Sequence, residues 1–210
     1  MPNPRARSKH RETPAVVAES SLHARKQQLV RDAIWDAAID LFADKGFDET
    51  TVEHITNAAG VSQRSFFRYF ASKADLMGQS ALGLGSALSG AIAACPATYP
   101  PSQVMREAVG DVVRRAARYP RTEKIVEIAS KYPSARQAQM SRMAEIQGEV
   151  VRAYAHRSKH LRKGDITPRV LAAATIALFE LSLHAWLEKG RQDIDGTVDE
   201  VFETLREVLA

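Results

Sequence analysis

The sequence of 210 residues contains a single cysteine, Cys95, so an internal disulfide framework is excluded. A lone thiol is typical of a protein that works in the reducing cytoplasm. The N-terminus is basic and no apolar run follows it, so we do not expect a secretory signal. Cys95 precedes Pro96 and is expected to be an inert residue at a helix end, with a redox sensor as the alternative.

The excess of positive over negative charge is small, and long apolar runs are scarce. The formal net charge is only +4, so an anionic partner would have to be met by a local patch. Residues 76–105 carry no charge, but they are rich in Gly and Ser, and a membrane-spanning helix needs about 20 predominantly apolar residues. We therefore expect a soluble helix with a face of small residues and no membrane partner.

Motifs for catalysis and for metal binding are missing as well. The run GLGSALSG at 83–90 does not fit the pattern G-x-G-x-x-G, and no predicted strand precedes it. There is no H-E-x-x-H, and the six histidines are scattered, whereas a zinc site needs clustered ligands. We predict no catalytic residue, no metal and no cofactor. An enzyme and a helical protein-interaction module stay as rival classes.

Apolar residues recur at helical spacing along almost the whole chain, and no segment alternates as a strand does. Three prolines and many charges predict a disordered basic arm over 1–21. A domain of short helices is expected over 22–75 and a larger helical domain over 76–210. The fold class is thus all-α, with helices predicted at 22–45, 51–58, 63–70, 73–94, 102–119, 122–132, 134–158, 168–189 and 194–209.

Three helix starts are marked in the smaller domain. Thr50 and Glu53 predict a capping box, while Ser62 and Ser72 are good N-caps for the next two helices. Gly60 permits a tight turn with positive φ between the first two of these helices. A helix, a tight turn and a second helix make the helix-turn-helix arrangement.

Four acidic residues repeat along the first predicted helix at every fourth position. Side chains at this spacing lie on one face of a helix, and like charges there are mildly unfavourable. We interpret the stripe as a solvated face that must point away from any bound polyanion. Its members are Asp32, Asp36, Asp40 and Asp44.

The stretch AAGVSQRSFFRYFASKADL at 58–76 crowds aromatic rings and cations together. Phe66 and Phe70 are four residues apart, so they share one helix face and are expected to pack inward. The start of the helix would then face base edges in the major groove, where arginine suits guanine and glutamine suits adenine. Spacing alone leaves a helix pair without DNA contacts equally open. The outward residues are Gln63, Arg64 and Ser65.

Residues 25–76 resemble the N-terminal domain of the tetracycline-repressor (TetR/AcrR) family of transcription factors. The matched residues are GF-x-x-TTV-x-x-I at 46–55, AAGVS at 58–62 and FFRYFASKADL at 66–76. The resemblance implies a DNA-binding repressor, dimeric through its last two helices, with a ligand pocket in the C-terminal domain. Carried over by position, it implies phosphate contacts from Thr51, Tyr69 and Lys73 and base contacts from Gln63, Arg64 and Ser65.

One position departs from the family pattern. The family usually has tyrosine where this chain has Phe67, so a hydroxyl contact to phosphate is lost. The ring could still contact a sugar or a thymine methyl. Arg68 adds a cation to the same surface, and no acid occurs from Ser62 to Ala74.

The FFRYF variant and the run RYPRTEKIVEIASKYPSARQAQ at 118–139 resemble an actinobacterial subgroup of the family. That subgroup includes the mycofactocin-system regulator and has members that sense acyl-CoA esters. The resemblance therefore implies an acyl-CoA or another apolar metabolite as effector. The candidate pocket walls, each of which also suits an ordinary core, are Met105, Val109, Ile125, Ile128, Met143, Ile146 and Phe179.

Residues 170–187 carry one formal charge, Glu180, and a helix that is apolar nearly all round is buried on most sides. We expect a second subunit to cover it, with an intramolecular core as the alternative. Glu180 and His184 are expected to form a hydrogen-bonded pair, with a ligand anchor or a contact across the dimer as alternatives. The predicted interface residues are Ala173, Ala177, Leu181 and Phe202.

A basic run lies in the predicted helix 102–119 and just after it. A solvated face is the simpler interpretation, and the alternative is a site that binds a phosphate or carboxylate of the ligand. The run consists of Arg114, Arg115, Arg118 and Arg121. Together these features predict a ligand-responsive transcriptional regulator that binds a pseudo-palindromic operator as a homodimer.

Overall fold

The computed structural model describes residues 14–158 and 164–210. Within these ranges the chain is all-α, as predicted, and has no strand. The first 13 residues of the expected disordered arm lie outside the described residues. The ten described helices are α1 (Pro14–Lys45), α2 (Val52–Ala59), α3 (Gln63–Tyr69), α4 (Lys73–Ala94), α5 (Pro101–Arg118), α6 (Thr122–Lys131), α7 (Pro133–Met140), α8 (Met143–Arg157), α9 (Thr167–Glu188) and α10 (Ile194–Val208).

Two helix boundaries differ from the prediction. Helix α1 begins at Pro14 rather than near residue 22, because proline suits the first turn of a helix and neither Gly nor Pro follows before Gly46. The single helix predicted over 134–158 is divided into α7 and α8. The break lies at Ser141 and Arg142, where the N–H of Arg142 bonds to the carbonyl of Gln139.

The first hydrophobic core joins α1, α2 and α3. Phe66 and Phe70 are buried in it, with ring centroids 5.7 Å apart, which confirms that these two rings pack inward. The core also takes in Leu76 and Met77 from the start of α4 and Ile128 from α6. Helix α4 runs unbroken across the boundary predicted at residue 75, so the smaller domain is packed directly onto the larger one.

Helix α4 packs closely on α7 and α8 through glycines. A Cβ atom added at Gly78 would lie 2.9 Å from the carbonyl oxygen of Ala138. A Cβ atom at Gly85 would lie 3.2 Å from the Cα of Ile146. The uncharged segment 76–105 therefore does present a face of small residues, because the neighbouring backbones leave no room for larger ones.

The acidic stripe of α1 is not a solvated face throughout, which corrects the interpretation from sequence. Arg121 contacts Asp36 at 3.0 Å and Asp40 at 3.1 Å, and Lys124 contacts Asp40 at 2.6 Å. The hydrogen bond from Lys124, helped by Arg121, holds the pKa of Asp40 below its ordinary value against the effect of burial. These ion pairs join the smaller domain to α6 across about 80 residues of sequence, a separation that helical periodicity does not reveal.

Helix α9 lies between α5, α8 and α10. In the described part of the chain it is the one helix long and apolar enough to cross a membrane. Its inner face is buried in the second core and includes Ile176, Phe179 and Trp186. Its outer face leaves Val170 and Leu181 57% and 59% exposed.

Candidate nucleic-acid interface and ligand cavity

The turn between α2 and α3 is tight and well hydrogen-bonded. Gly60 adopts φ +65°, in the left-handed region that favours glycine. The N–H of Val61 bonds to the carbonyl of Thr56 and thereby closes the end of α2. Ser62 caps α3, as predicted, and accepts a hydrogen bond from the N–H of Ser65. Helix, turn and helix are thus held in a fixed mutual arrangement.

The capping box of α2 lies one residue later than predicted. Thr51, not Thr50, is the N-cap, and its Oγ1 accepts from the N–H of His54 at 3.1 Å. In return, the N–H of Thr51 donates to Nδ1 of His54 at 3.3 Å. Thr50 is buried and donates to the carbonyl of Gly46 at 2.7 Å. Because Thr51 is exposed and accepts in the cap, its hydroxyl hydrogen stays available for a phosphate.

The start of α3 presents free polar side chains. Gln63 and Arg64 are exposed, and within the described residues neither has a hydrogen-bond or charge partner. Ser65 is half-buried, and its hydroxyl lies 3.1 Å from that of Ser62. Ser65 is therefore partly engaged in the cap, whereas Gln63 and Arg64 are the two side chains best placed to reach a base edge.

The second half of α3 carries an exposed ring and a cation–ring pair. Phe67 is 54% exposed and packs edge-on against the buried Phe66, at a centroid distance of 5.3 Å and an interplanar angle of 85°. The guanidinium of Arg68 lies 4.9 Å from the centroid of the Tyr69 ring and donates to the Tyr69 hydroxyl at 3.0 Å. Both aromatic side chains are therefore held in position at the surface.

Lys73 is used differently from the phosphate contact that the family resemblance implies. Its ammonium donates to the carbonyls of Phe47, Asp48 and Thr50 at 2.7, 2.8 and 2.9 Å. It also lies 4.9 Å from the centroid of the Phe47 ring. An ammonium has three N–H donors, and all three are occupied. In the structure Lys73 thus holds the loop between α1 and α2, and its phosphate contact stays a prediction.

Replacing Lys73 by Met is expected to lower the free energy of unfolding by about 1–3 kcal/mol, because three hydrogen bonds from a charged group are lost. Urea denaturation followed by circular dichroism measures this change. Lys131→Met is the matched control, since Lys131 also lies over a ring, that of Tyr132, at 5.5 Å. Unchanged stability of the Lys73 variant, with a smaller salt dependence of DNA binding, would favour the phosphate contact over the structural role.

A cavity of about 790 Å³ lies between the two domains. Its walls come from α1 and from each of the helices α4–α9. The predicted wall residues Ile125, Met143, Ile146 and Phe179 line it. The contribution of α1, which includes Arg31 and Trp35, is not apparent from the sequence, because helical periodicity does not show which distant helices α1 contacts. Trp35 donates to the hydroxyl of Tyr119 at 2.9 Å, which ties this wall to the end of α5.

The other three predicted wall residues do not reach this cavity. Met105 and Val109 are buried in the core between α5 and the neighbouring helices, and Ile128 is buried in the core of the smaller domain. Helical spacing alone does not distinguish a wall position from a core position, so the sequence predicts all three as wall residues. In the structure these three residues pack in a core and not in the wall of this cavity.

The expected pair of Glu180 and His184 is not formed. Both side chains line the cavity and are exposed, and within the described residues they make no hydrogen bond.

The basic run of four arginines is divided among separate partners, since Arg114 pairs with Asp195 and Arg115 with Asp111. Of its four members only Arg115 lines the cavity, so the run does not converge into a clamp.

Cys95 lies at the C-terminal end of α4 and donates to the carbonyl of Ala91 at 3.3 Å. Burial raises the pKa of the thiol, against the opposing effect of Arg157. A raised pKa disfavours the reactive thiolate. The direction of this shift agrees with the expectation of an inert residue at a helix end.

Comparison with known proteins agrees with this geometry. Residues 34–79 match the family model of bacterial regulatory proteins of the tetR family, and residues 99–210, just over half of the chain, match the MftR C-terminal domain. The transcriptional regulator TcmR of Streptomyces glaucescens is 28% identical over 183 residues, which cover 83% of this chain and 80% of TcmR. A protein assigned as the mycofactocin biosynthesis regulator MftR of Mycobacterium tuberculosis is 45% identical over 49 residues, which cover 23% of this chain and 25% of that protein.

Solved structures share the fold. NalD of Pseudomonas aeruginosa, the secondary repressor of the MexAB-OprM multidrug efflux pump, aligns with a TM-score of 0.60. The alignment covers 87% of this chain and 96% of NalD at 22% identity. These relatives are regulators rather than enzymes, so the rival enzymatic class is excluded. The chain belongs to the TetR family of bacterial regulatory proteins and is a DNA-binding transcriptional regulator with a C-terminal domain of the MftR type.

Proposed function

We propose that the protein is a repressor that binds a pseudo-palindromic operator as a homodimer in the cytoplasm and is released by a small-molecule effector. The observation that carries the DNA-binding part is the geometry of α3. Two buried rings, Phe66 and Phe70, fix the helix, while Gln63 and Arg64 stand free at its first turn. NalD is itself a repressor, and this similarity supports the sign of regulation.

The outer face of α9 supports the homodimer. Ala173, Ala177 and Leu181 lie on it and are exposed in the single chain, while Phe202 of α10 is half-buried against the second core. A helical face that exposes leucine, valine and alanines together is typical of a surface that a partner covers. The family resemblance implies that this partner is a second copy of the chain. A two-fold contact would then pair the same face of both subunits.

The cavity supports a small-molecule effector. Its size is within the range of about 300–1,000 Å³ that is usual for ligand pockets. Apolar side chains such as Leu84, Val126 and Phe179 form much of the wall, which suits an acyl-CoA or another apolar metabolite. Since α1 closes one side, a bound ligand would change how the smaller domain sits against α6. Operator affinity then falls only by the difference in ligand affinity between the two states.

Selection of bound sequences from random duplex DNA tests this function. The expected product is a pseudo-palindrome whose half-sites lie about 34–36 Å apart, or a multiple of that spacing. Repeating the selection with metabolite extracts should identify fractions that release the DNA. Failure to enrich any sequence would contradict sequence-specific binding, and enrichment of a single unpaired half-site would contradict the homodimer.

Phe67→Tyr is expected to tighten operator binding by about 0.5–1.5 kcal/mol for one added hydrogen bond, because it restores the hydroxyl that the family usually has. Fluorescence anisotropy with the selected operator measures the change. Weaker binding would show instead that the ring fills an apolar site. Operators in which deoxyuridine replaces thymine, and which therefore lack one methyl group, would then locate that site.

A further inference from the structure

A second, smaller concavity lies where the N-terminal half of α1 meets the C-terminal end of α3. This notch has a volume of about 310 Å³ and is lined by Lys26, Gln27, Val30, Arg68 and Tyr69. Among the described residues that line it there is no carboxylate. Lys26 is exposed and, within the described residues, its ammonium has no partner. The notch is therefore lined by two cationic side chains, Lys26 and Arg68, and the ammonium of Lys26 is free to bind an anion.

The pair of Arg68 and Tyr69 gives the notch a directed donor. The guanidinium donates to the phenolic oxygen of Tyr69 at 3.0 Å, so that oxygen already acts as an acceptor. Its own hydrogen is left to donate elsewhere. Together with the Lys26 ammonium and the remaining N–H groups of Arg68, it gives the notch three charged or polarised donor groups. A phosphate oxygen is the acceptor that fits such a set.

The position of the notch on α3 places it against the DNA backbone. Helix α3 has seven residues and is therefore about 10 Å long, while the major groove is about 12 Å wide. With Gln63 and Arg64 over base edges, the other end of the helix, at Tyr69, reaches the wall of the groove. Phosphates form that wall.

We infer that the notch formed by Lys26, Arg68 and Tyr69 holds one backbone phosphate beside each half-site, so that α1 is part of the DNA interface. This inference rests on the proposed operator binding. It adds Lys26, a residue outside the helix-turn-helix, to the groups that position the protein on DNA. The contact is independent of sequence, so it contributes affinity and register but no base preference.

The test uses the full chain and the selected operator with single methylphosphonate groups, which remove the charge of one phosphate at a time. For the wild type, neutralising one phosphate next to each half-site should weaken binding several-fold. Lys26→Ala should weaken binding of the unmodified operator to a similar extent and lose this position-dependent sensitivity. Its salt dependence, as the slope of log K against log salt, should fall by about 0.9 per subunit.

Arg25→Ala is the matched control, because it removes an adjacent exposed cation that does not line the notch. It should keep the methylphosphonate profile of the wild type. Equal effects of the two substitutions, or a Lys26 variant with the wild-type profile, would overturn the inference while operator binding still stands. A wild type that does not prefer the selected operator over random duplex DNA would overturn the proposed function, and this inference with it.

Discussion

Leu181→Arg is expected to convert the proposed homodimer into a folded monomer that has lost most of its operator affinity. Leu181 is 59% exposed in the single chain, so arginine at this position does not disturb the subunit itself. In a two-fold interface each new guanidinium would lie close to its symmetry mate. Burial of an unpaired charge of this kind costs about 3–5 kcal/mol. The substitution thus acts on association and leaves folding intact.

If the dimer is lost, specific operator binding should be lost as well. We call α3 the recognition helix of the proposed DNA interface. Two half-sites are bound together only if both copies of this helix belong to one rigid dimer. A monomer engages one half-site and loses the second set of base and phosphate contacts. The expected result is a monomeric sedimentation coefficient together with nearly nonspecific DNA binding.

Analytical ultracentrifugation and circular dichroism together decide this prediction. Ala93→Arg, at an exposed position of α4 that lines neither the cavity nor the outer face of α9, is the matched control and should stay dimeric. A folded Leu181→Arg variant that stays dimeric and binds the operator normally would place the interface on another surface.

Local features of the sequence were sufficient to predict the recognition helix. The spacing of Phe66 and Phe70, the glycine at position 60 and the caps at Ser62 and Ser72 all act within one or two helical turns, and the structure confirms each of them. Even the small-residue face of α4 follows from composition. Interactions of this range are those that periodicity and capping rules describe.

Features that depend on distant parts of the chain could not be predicted in the same way. Lys73 finds its carbonyl partners 23–26 residues earlier in the sequence, and the stripe of α1 finds Arg121 and Lys124 more than 80 residues later. The cavity needs seven helices to enclose it, and its α1 wall belongs to the other domain. A charge pattern on one helix does not contain the position of its partner.

The ion pairs of α1 and the cavity, neither of which is apparent from the sequence, are connected. The ion pairs of Asp36 and Asp40 with Arg121 and Lys124 lie on the same contact between α1 and α6 that borders the cavity. A ligand that moves α6 must therefore either carry α1 with it or separate these pairs. Exposed and half-exposed ion pairs are each worth roughly 1 kcal/mol or less. In the proposed function, such a contact orients the smaller domain and is weak enough for the proposed effector to rearrange.

Arg64→Ala is expected to weaken specific operator binding by about 1–3 kcal/mol per half-site and to relax the preference at one base position. The fold should be unaffected, because Arg64 is exposed and without a partner in the described chain, while the cap at Ser62 and the buried rings hold α3. Since the dimer carries the substitution twice, the total loss should be about 2–6 kcal/mol. Binding to random duplex DNA should change far less.

Repeating the DNA selection with the Arg64 variant measures both effects, since a lost base contact appears as one degenerate position in each half-site. Arg118→Ala is the matched control, because it removes an exposed cation at the end of α5, far along the chain from the recognition helix. An arginine that contacts a phosphate would give a different result. Binding would then weaken equally on all sequences and the selected operator would be unchanged, because phosphate contacts position a protein without reading bases. That outcome would assign Arg64 to the backbone and leave Gln63 as the residue of α3 that specifies the operator.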